Sequence, residues 1–297
     1  MILEKRRKTI RTELKLGSTH ARLLLERLQI KGVPDVYQIA SELRLKVKEE
    51  ELEGCEGLLV RPRGIPRGII AIKRDIRSEG RKRFTVAHEI GHYVLPGHDD
   101  GGSICGPKDI EGWKDRSDSK EREADDFAAE LLIPTVVVKA RLAHSTPSLK
   151  LIETIANECK TSLSASAWRY CDLTTEQCAI VWSEQGKVAW SRVSPEFHFF
   201  IRNGMEIEKA SYAYDCFEGD RVPLGPEPVP AHAWIDSFNL KDGAKILEES
   251  RSLPSYDSVL TLLWINENIE KRSDYHEEEE PPMDPNDFTV HRKRWPR

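Results

Sequence analysis

Residues 84–95 read FTVAHEIGHYVL, an apolar, helix-compatible run interrupted by His88, Glu89 and His92 in an HExxH pattern. Two histidines four apart sit one helical turn apart on one face. From that face both imidazoles reach one metal ion, and Glu89 reaches a water held on it. The flanks agree with a buried helix. Phe84, Val86, Ala87, Ile90, Val94 and Leu95 supply an apolar body, Gly91 leaves room for substrate or backbone, and Pro96–Gly97 end the helix. The pattern predicts metal-dependent hydrolysis, with Glu89 as its base.

Two histidines and a water leave a tetrahedral zinc one protein ligand short, so a third donor is expected downstream on a helix packed against the first. Residues 119–134, SKEREADDFAAELLIP, carry an apolar stripe of Ala124, Phe127, Ala128, Leu131 and Leu132 and close at Pro134. Glu121 lies one turn before Asp125. Glu121 reads as the third ligand, with Glu123 as the alternative. Asp125 reads as a carboxylate that orients a ligand histidine through its other ring nitrogen. The remaining acids suit the helix's positive N-terminal end.

The RFTVAHEIGHYVL stretch from Arg83 and the EREADDFAAELLIP stretch from Glu121, with the helical lead from Ala21 and a Gly-containing strand pair at Gly57–Leu58 and Gly68–Lys73, resemble the ImmA/IrrE family of metallopeptidases. The resemblance covers roughly residues 18–175. It implies a gluzincin-like site in which Glu121, Ala124 and Asp125 match an E-x-x-A-[DN] third-ligand motif. It further implies Zn²⁺ at His88, His92 and Glu121, and a protein substrate, a helix-turn-helix repressor whose cleavage relieves repression under stress. The alternative is a regulator that binds a repressor or DNA without proteolysis, using the zincin fold as a scaffold.

The composition suits a cytoplasmic chain of two domains, or one with a substantial appendage. Charged residues make up 32 % and hydrophobic ones 39 %, and the net charge of −5 argues against nucleic acid as a partner of the whole molecule. No apolar run approaches the length that spans a membrane, and the first residues lack the apolar core of a secretory signal. Six cysteines without CxxC spacing read as free thiols.

The expected fold is α+β: a mainly helical zincin-like core with a small three-stranded sheet, a helix-turn-helix-like segment, and a C-terminal mixed α/β domain. Residues 1–17 form a basic arm and 18–134 the metallopeptidase core, with helices at 18–29 and 35–43 and strands at 45–49, 56–60 and 68–73. The 56–60 or 68–73 strand is expected to be the edge that takes extended substrate by strand addition. The polar segment 97–118 reads as a functional or disordered loop, and His98, near enough to be a ligand or transition-state helper, reads as a surface histidine because it follows the helix-ending Pro-Gly. Residues 135–176 hold a helix-turn-helix silhouette, although its second helix, SLSASAWRYC, offers only Arg169 as a basic residue for phosphate contacts. From 177 to 270, QCAIVWS, EQGK and VAWSRV read as a hairpin and FHFFI as a further strand of a sensor or docking domain. Residues 271–297 read as a disordered charged tail.

Overall fold

The computed structural model describes residues 16–61, 67–98, 104–105, 119–235 and 240–270. The expected basic arm, apart from its last two residues, and the expected charged tail lie outside the described residues. Most of the 97–118 segment does too.

The chain is mixed α and β. Helix α1 covers 16–27 and buries Ala21, Leu24 and Leu25 at i, i+3 and i+4. Asp35 starts α2 (Val36–Glu42) by accepting hydrogen bonds from the Tyr37 and Gln38 amides at 2.9 and 3.3 Å. A small sheet follows, built from β1 (Leu45–Glu50), β2 (Gly57–Val60), β3 (Gly68–Lys73) and the two-residue β4 (Ile104–Cys105). Its order is β1-β3-β2-β4, with β1 parallel to β3 and the other pairs antiparallel. The fourth strand comes from the segment read in sequence as a loop. It also narrows the strand-addition assignment: β3 is interior, and β4 pairs with β2 at Gly57 and Leu58, the first two of its four residues.

Helix α3 (Glu79–Val94) starts at Ser78, whose side chain accepts from the Arg81 amide, and buries every residue from Thr85 to His92. It packs against α4 (Ser119–Leu132), which buries Ala124, Phe127, Ala128 and Leu131. Gly91 is where the two helices meet. A Cβ there would lie 3.2 Å from a Phe127 ring carbon and 3.3 Å from the Ala124 backbone, so its missing side chain makes room for α4.

Helices α5 (Thr135–Leu142), α6 (Leu149–Cys159) and α7 (Leu163–Leu173) complete the helical layer. Arg83 ties this layer to α3, donating to the Cys159 and Lys160 carbonyls at 2.7 Å each and to the Pro34 carbonyl at 3.1 Å. Arg169, the one basic residue of α7, is buried in an ion pair with Glu130. It also donates to the Ile133 carbonyl at 3.1 Å and the Thr135 hydroxyl at 3.0 Å. Helix α7 therefore presents no basic side chain to solvent, which removes the phosphate contact a recognition helix needs.

The C-terminal region is mostly antiparallel sheet: β5 (Gln177–Glu184), β6 (Lys187–Val193), β7 (Glu227–Pro230), β8 (Lys245–Leu253) and β9 (Ser258–Ile265), in the order β6-β5-β9-β8-β7, joined by the short α-helix α8 (Tyr212–Glu218). The β5–β6 hairpin turns on Gln185 and Gly186, both at positive φ, as two-residue turns matching the strand twist require. Side-chain alternation divides the sheet between two cores. Cys178, Ile180, Leu260 and Leu262 join the core of α1–α7 and β1–β3. Ala179, Val181, Val259 and Leu263 face a second core with Phe197, Ile201 and Trp234. FHFFI is not a strand. Phe197 and Ile201 instead turn inward to cover the second core, while Phe200 stays exposed. Glu249 of β8 accepts the Leu149 amide at 2.7 Å, capping α6 from the sheet side. Among the described residues no helix is long and apolar enough to cross a membrane. The five cysteines whose side chains are described are buried free thiols.

Candidate metal centre

The α3–α4 contact brings together three donors that the sequence spreads from residue 88 to residue 121. One ligand atom each from His88, His92 and Glu121 lies within 4.8 Å of the others. His88 Nε2 and His92 Nε2 are 3.0 Å apart, and each is 3.2 Å from a Glu121 oxygen. A tetrahedral ion with bonds of about 2.0–2.1 Å sets its ligand atoms roughly 3.3 Å apart, so this nitrogen, nitrogen and oxygen set fits a divalent metal. Burial raises the Glu121 carboxyl pKa. The hydrogen bonds and charge of the two imidazoles outweigh it and hold the group well below the usual carboxylate range, so Glu121 is an anion at neutral pH.

The acids of α4 separate by position. Glu121 and Asp125, one turn apart, both face α3. His88 Nδ1–H donates to Asp125 Oδ1 at 2.9 Å, which leaves Nε2 with its lone pair toward the donor cluster. Glu123 points elsewhere: its Oε2 is 3.3 Å from His98 Nε2, and His98 Nδ1 is 2.9 Å from His92 Nδ1. Among the described residues, Glu121 rather than Glu123 lies with the two histidines in a group that could hold a metal ion.

Glu89 is fully buried on α3. It shares the space beside β2 with Thr85, opposite Gly57, where an added Cβ would lie 2.6 Å from both Glu89 Oε1 and Thr85 Cγ2. The absence of a side chain at residue 57 lets the sheet press against this carboxylate.

The structure corrects the place of one residue, His98, and adds another, Arg61. The His98 side chain is 2 % exposed, not a surface histidine. Pro96–Gly97 end α3, Gly97 takes φ +80°, and the chain brings the imidazole back onto His92. The Pro-Gly pair signalled the helix end but not the direction of the reversal. Burial lowers the His98 imidazole below the ordinary histidine value. Arg61, at the end of β2, donates to the His92 and Tyr93 carbonyls at 3.0 and 2.8 Å and lies over the Tyr93 ring, placing positive charge at the C-terminal end of α3. No local pattern marks it.

A candidate metal centre on two crossed helices, with a buried carboxylate beside it and a small sheet alongside, is the class of site this fold builds. Residues 40–169 match the IrrE N-terminal-like domain of the Peptidase_M78 family, and the chain carries a domain of the ImmA/IrrE family over that stretch. No curated protein is significantly similar to the chain. Among solved structures, a Mycobacterium tuberculosis transcriptional regulator is similar at a TM-score of 0.49 and 11 % identity, over 84 % of this chain and 76 % of that one.

Proposed function

We propose that this protein is a zinc-dependent endopeptidase whose substrate is a protein, a helix-turn-helix transcriptional repressor. The convergence of His88, His92 and Glu121 within 4.8 Å, with Glu89 buried one residue from a ligand, carries the enzymatic part of the reading. The family's character as a peptidase supports it. The repressor rests on the resemblance of the two motif helices to the ImmA/IrrE metallopeptidases.

His88, His92 and Glu121 would hold a divalent ion, which would supply Lewis acidity toward a water and a peptide carbonyl. Glu89 accepts the proton of the attacking water at its carboxylate. As the new C–O bond forms and the C–N bond breaks, Glu89 returns that proton to the leaving amine. Asp125 keeps the His88 proton on Nδ1, so Nε2 stays available as a donor throughout. Burial of Glu89 against Gly57 and Thr85 fixes the direction in which it presents its oxygens.

The test is co-incubation with candidate repressors, including the one encoded beside the gene, using wild type, Glu89→Gln and added chelator. Wild type is expected to cut, chelator to stop it, and Glu89→Gln to keep zinc while losing cleavage. A fully active Gln variant would refute the mechanism.

A further inference from the structure

Helix α4 carries acids at 121, 123 and 125, and two of them are accounted for at the candidate metal centre. Glu123 sits about 200° round the helix from both neighbours, so it cannot serve the same ion. It is nevertheless tied to the centre through one side chain. His98 Nε2 lies 3.3 Å from Glu123 Oε2, and His98 Nδ1 lies 2.9 Å from His92 Nδ1.

The proton count allows one arrangement. When a metal takes the lone pair of His92 Nε2, which is turned toward His88 and Glu121, the proton of this ring must be on Nδ1. That N–H donates to His98 Nδ1, which must then be the unprotonated nitrogen. The His98 proton is left on Nε2, where Glu123 accepts it. Every N–H meets one acceptor. His88 reaches the same result in a single step, through Asp125. The two ligand histidines therefore have carboxylates behind them, one direct and one through an intervening imidazole.

We propose that His98 and Glu123 are positioning residues that fix the ring orientation and tautomer of His92, and so set the affinity of the centre for its metal. This rests on the metal centre proposed above. Partners behind a ligand histidine typically account for 10- to 100-fold in metal affinity.

The test measures zinc affinity by competition with a chromophoric chelator, and the visible spectrum of the Co²⁺-loaded protein, with the folding of each metal-free variant checked by circular dichroism. His98→Ala is expected to weaken zinc by about 10- to 100-fold and to shift the cobalt bands. His98→Asn places an acceptor oxygen where Nδ1 stood, and is expected to restore most of the affinity while losing contact with Glu123. Glu123→Ala should then weaken zinc in the wild-type background and have no effect in the Asn background. If the Ala variant does not fold, this last comparison decides alone. Glu121→Ala separates the two readings. Loss of zinc there, with His98→Ala binding within twofold of wild type, overturns the relay and leaves the centre intact. Failure of Asn to rescue also overturns it, since the ring would then serve only as packing. Wild-type affinity in Glu121→Ala overturns the centre and the relay together.

Discussion

Gly57 of β2 and Glu89 of α3 are packed so closely that a Cβ at residue 57 would stand 2.6 Å from the Glu89 carboxylate oxygen. The sheet backbone is one wall of the space that holds the proposed base, and this contact can be altered without touching any proposed ligand.

Gly57→Ala is therefore expected to push Glu89 out of place. Turnover should fall at least tenfold while zinc is retained, with a stability cost of about 1–3 kcal/mol from overpacking. Parallel measurement of peptide cleavage, zinc content and thermal unfolding checks it. Unchanged turnover would show that Glu89 needs no support from β2.

Asp125→Ala removes the acceptor from His88 Nδ1, 2.9 Å away. Zinc affinity should fall about 10- to 100-fold. Asp125→Asn should lose less, because its side-chain oxygen still accepts the bond. Chelator competition on the two variants distinguishes this from general damage to α4.

Arg169→Met leaves buried Glu130 without its charge partner, with Thr135 still donating to it at 3.0 and 2.7 Å, and losing such a partner typically costs about 3–5 kcal/mol. The double variant Arg169→Met, Glu130→Leu should recover a large part of that loss in chemical denaturation. Additive losses would mean that the hydrogen bonds to Ile133 and Thr135, not the ion pair, dominate.

Asp126 gives the fold a pH dependence. Burial raises its carboxyl pKa to about 6, although its Oδ2 accepts the Ser18 amide at 2.7 Å. The folded state holds this proton more tightly than the unfolded chain does. The contribution is thus intact below the unfolded value near 4, and is lost as pH rises toward about 6. Asp126→Asn lacks the titration. Its advantage in melting temperature over wild type should be small near pH 4, grow to pH 6 and then level off. A difference that is constant across this range would remove Asp126 from the account.

The helices that build the centre were legible because their signals are local. The spacing of His88 and His92, the stripe from Ala124 to Leu132 and the stops at Pro96 and Pro134 act within a few turns. Joining α3 to α4 also followed from chemistry, since a metal needs a third donor and α4 carried acids at ligand spacing. Strand order was not legible. Whether β2 is an edge depends on β4, two residues inside a polar segment, and no periodicity marks a strand that short. FHFFI shows the opposite failure, apolar enough for a strand but used as a cover over the second core, with Phe197 and Ile201 inward. His98 was misplaced because a turn's composition tells where a helix stops and not where the next side chain lands. In the C-terminal sheet region Trp234 is core, its indole N–H donating to Glu248 at 2.8 Å, whereas Trp182, Trp190 and Trp264 are half-buried.

Sharing one core across the two halves of the chain sets an order of events during synthesis. On the side of the helical half that meets the C-terminal sheet, α7 packs against β5, and Cys178 and Ile180 of β5 with Leu260 and Leu262 of β9 belong to the helices' core. About ninety residues separate the end of α7 from Leu262. At ribosomal speeds of about 5–20 residues per second, the helical half waits roughly 5–20 s with that side bare. A nascent or C-terminally shortened chain thus lacks the strands that complete the core it shares with the helical half.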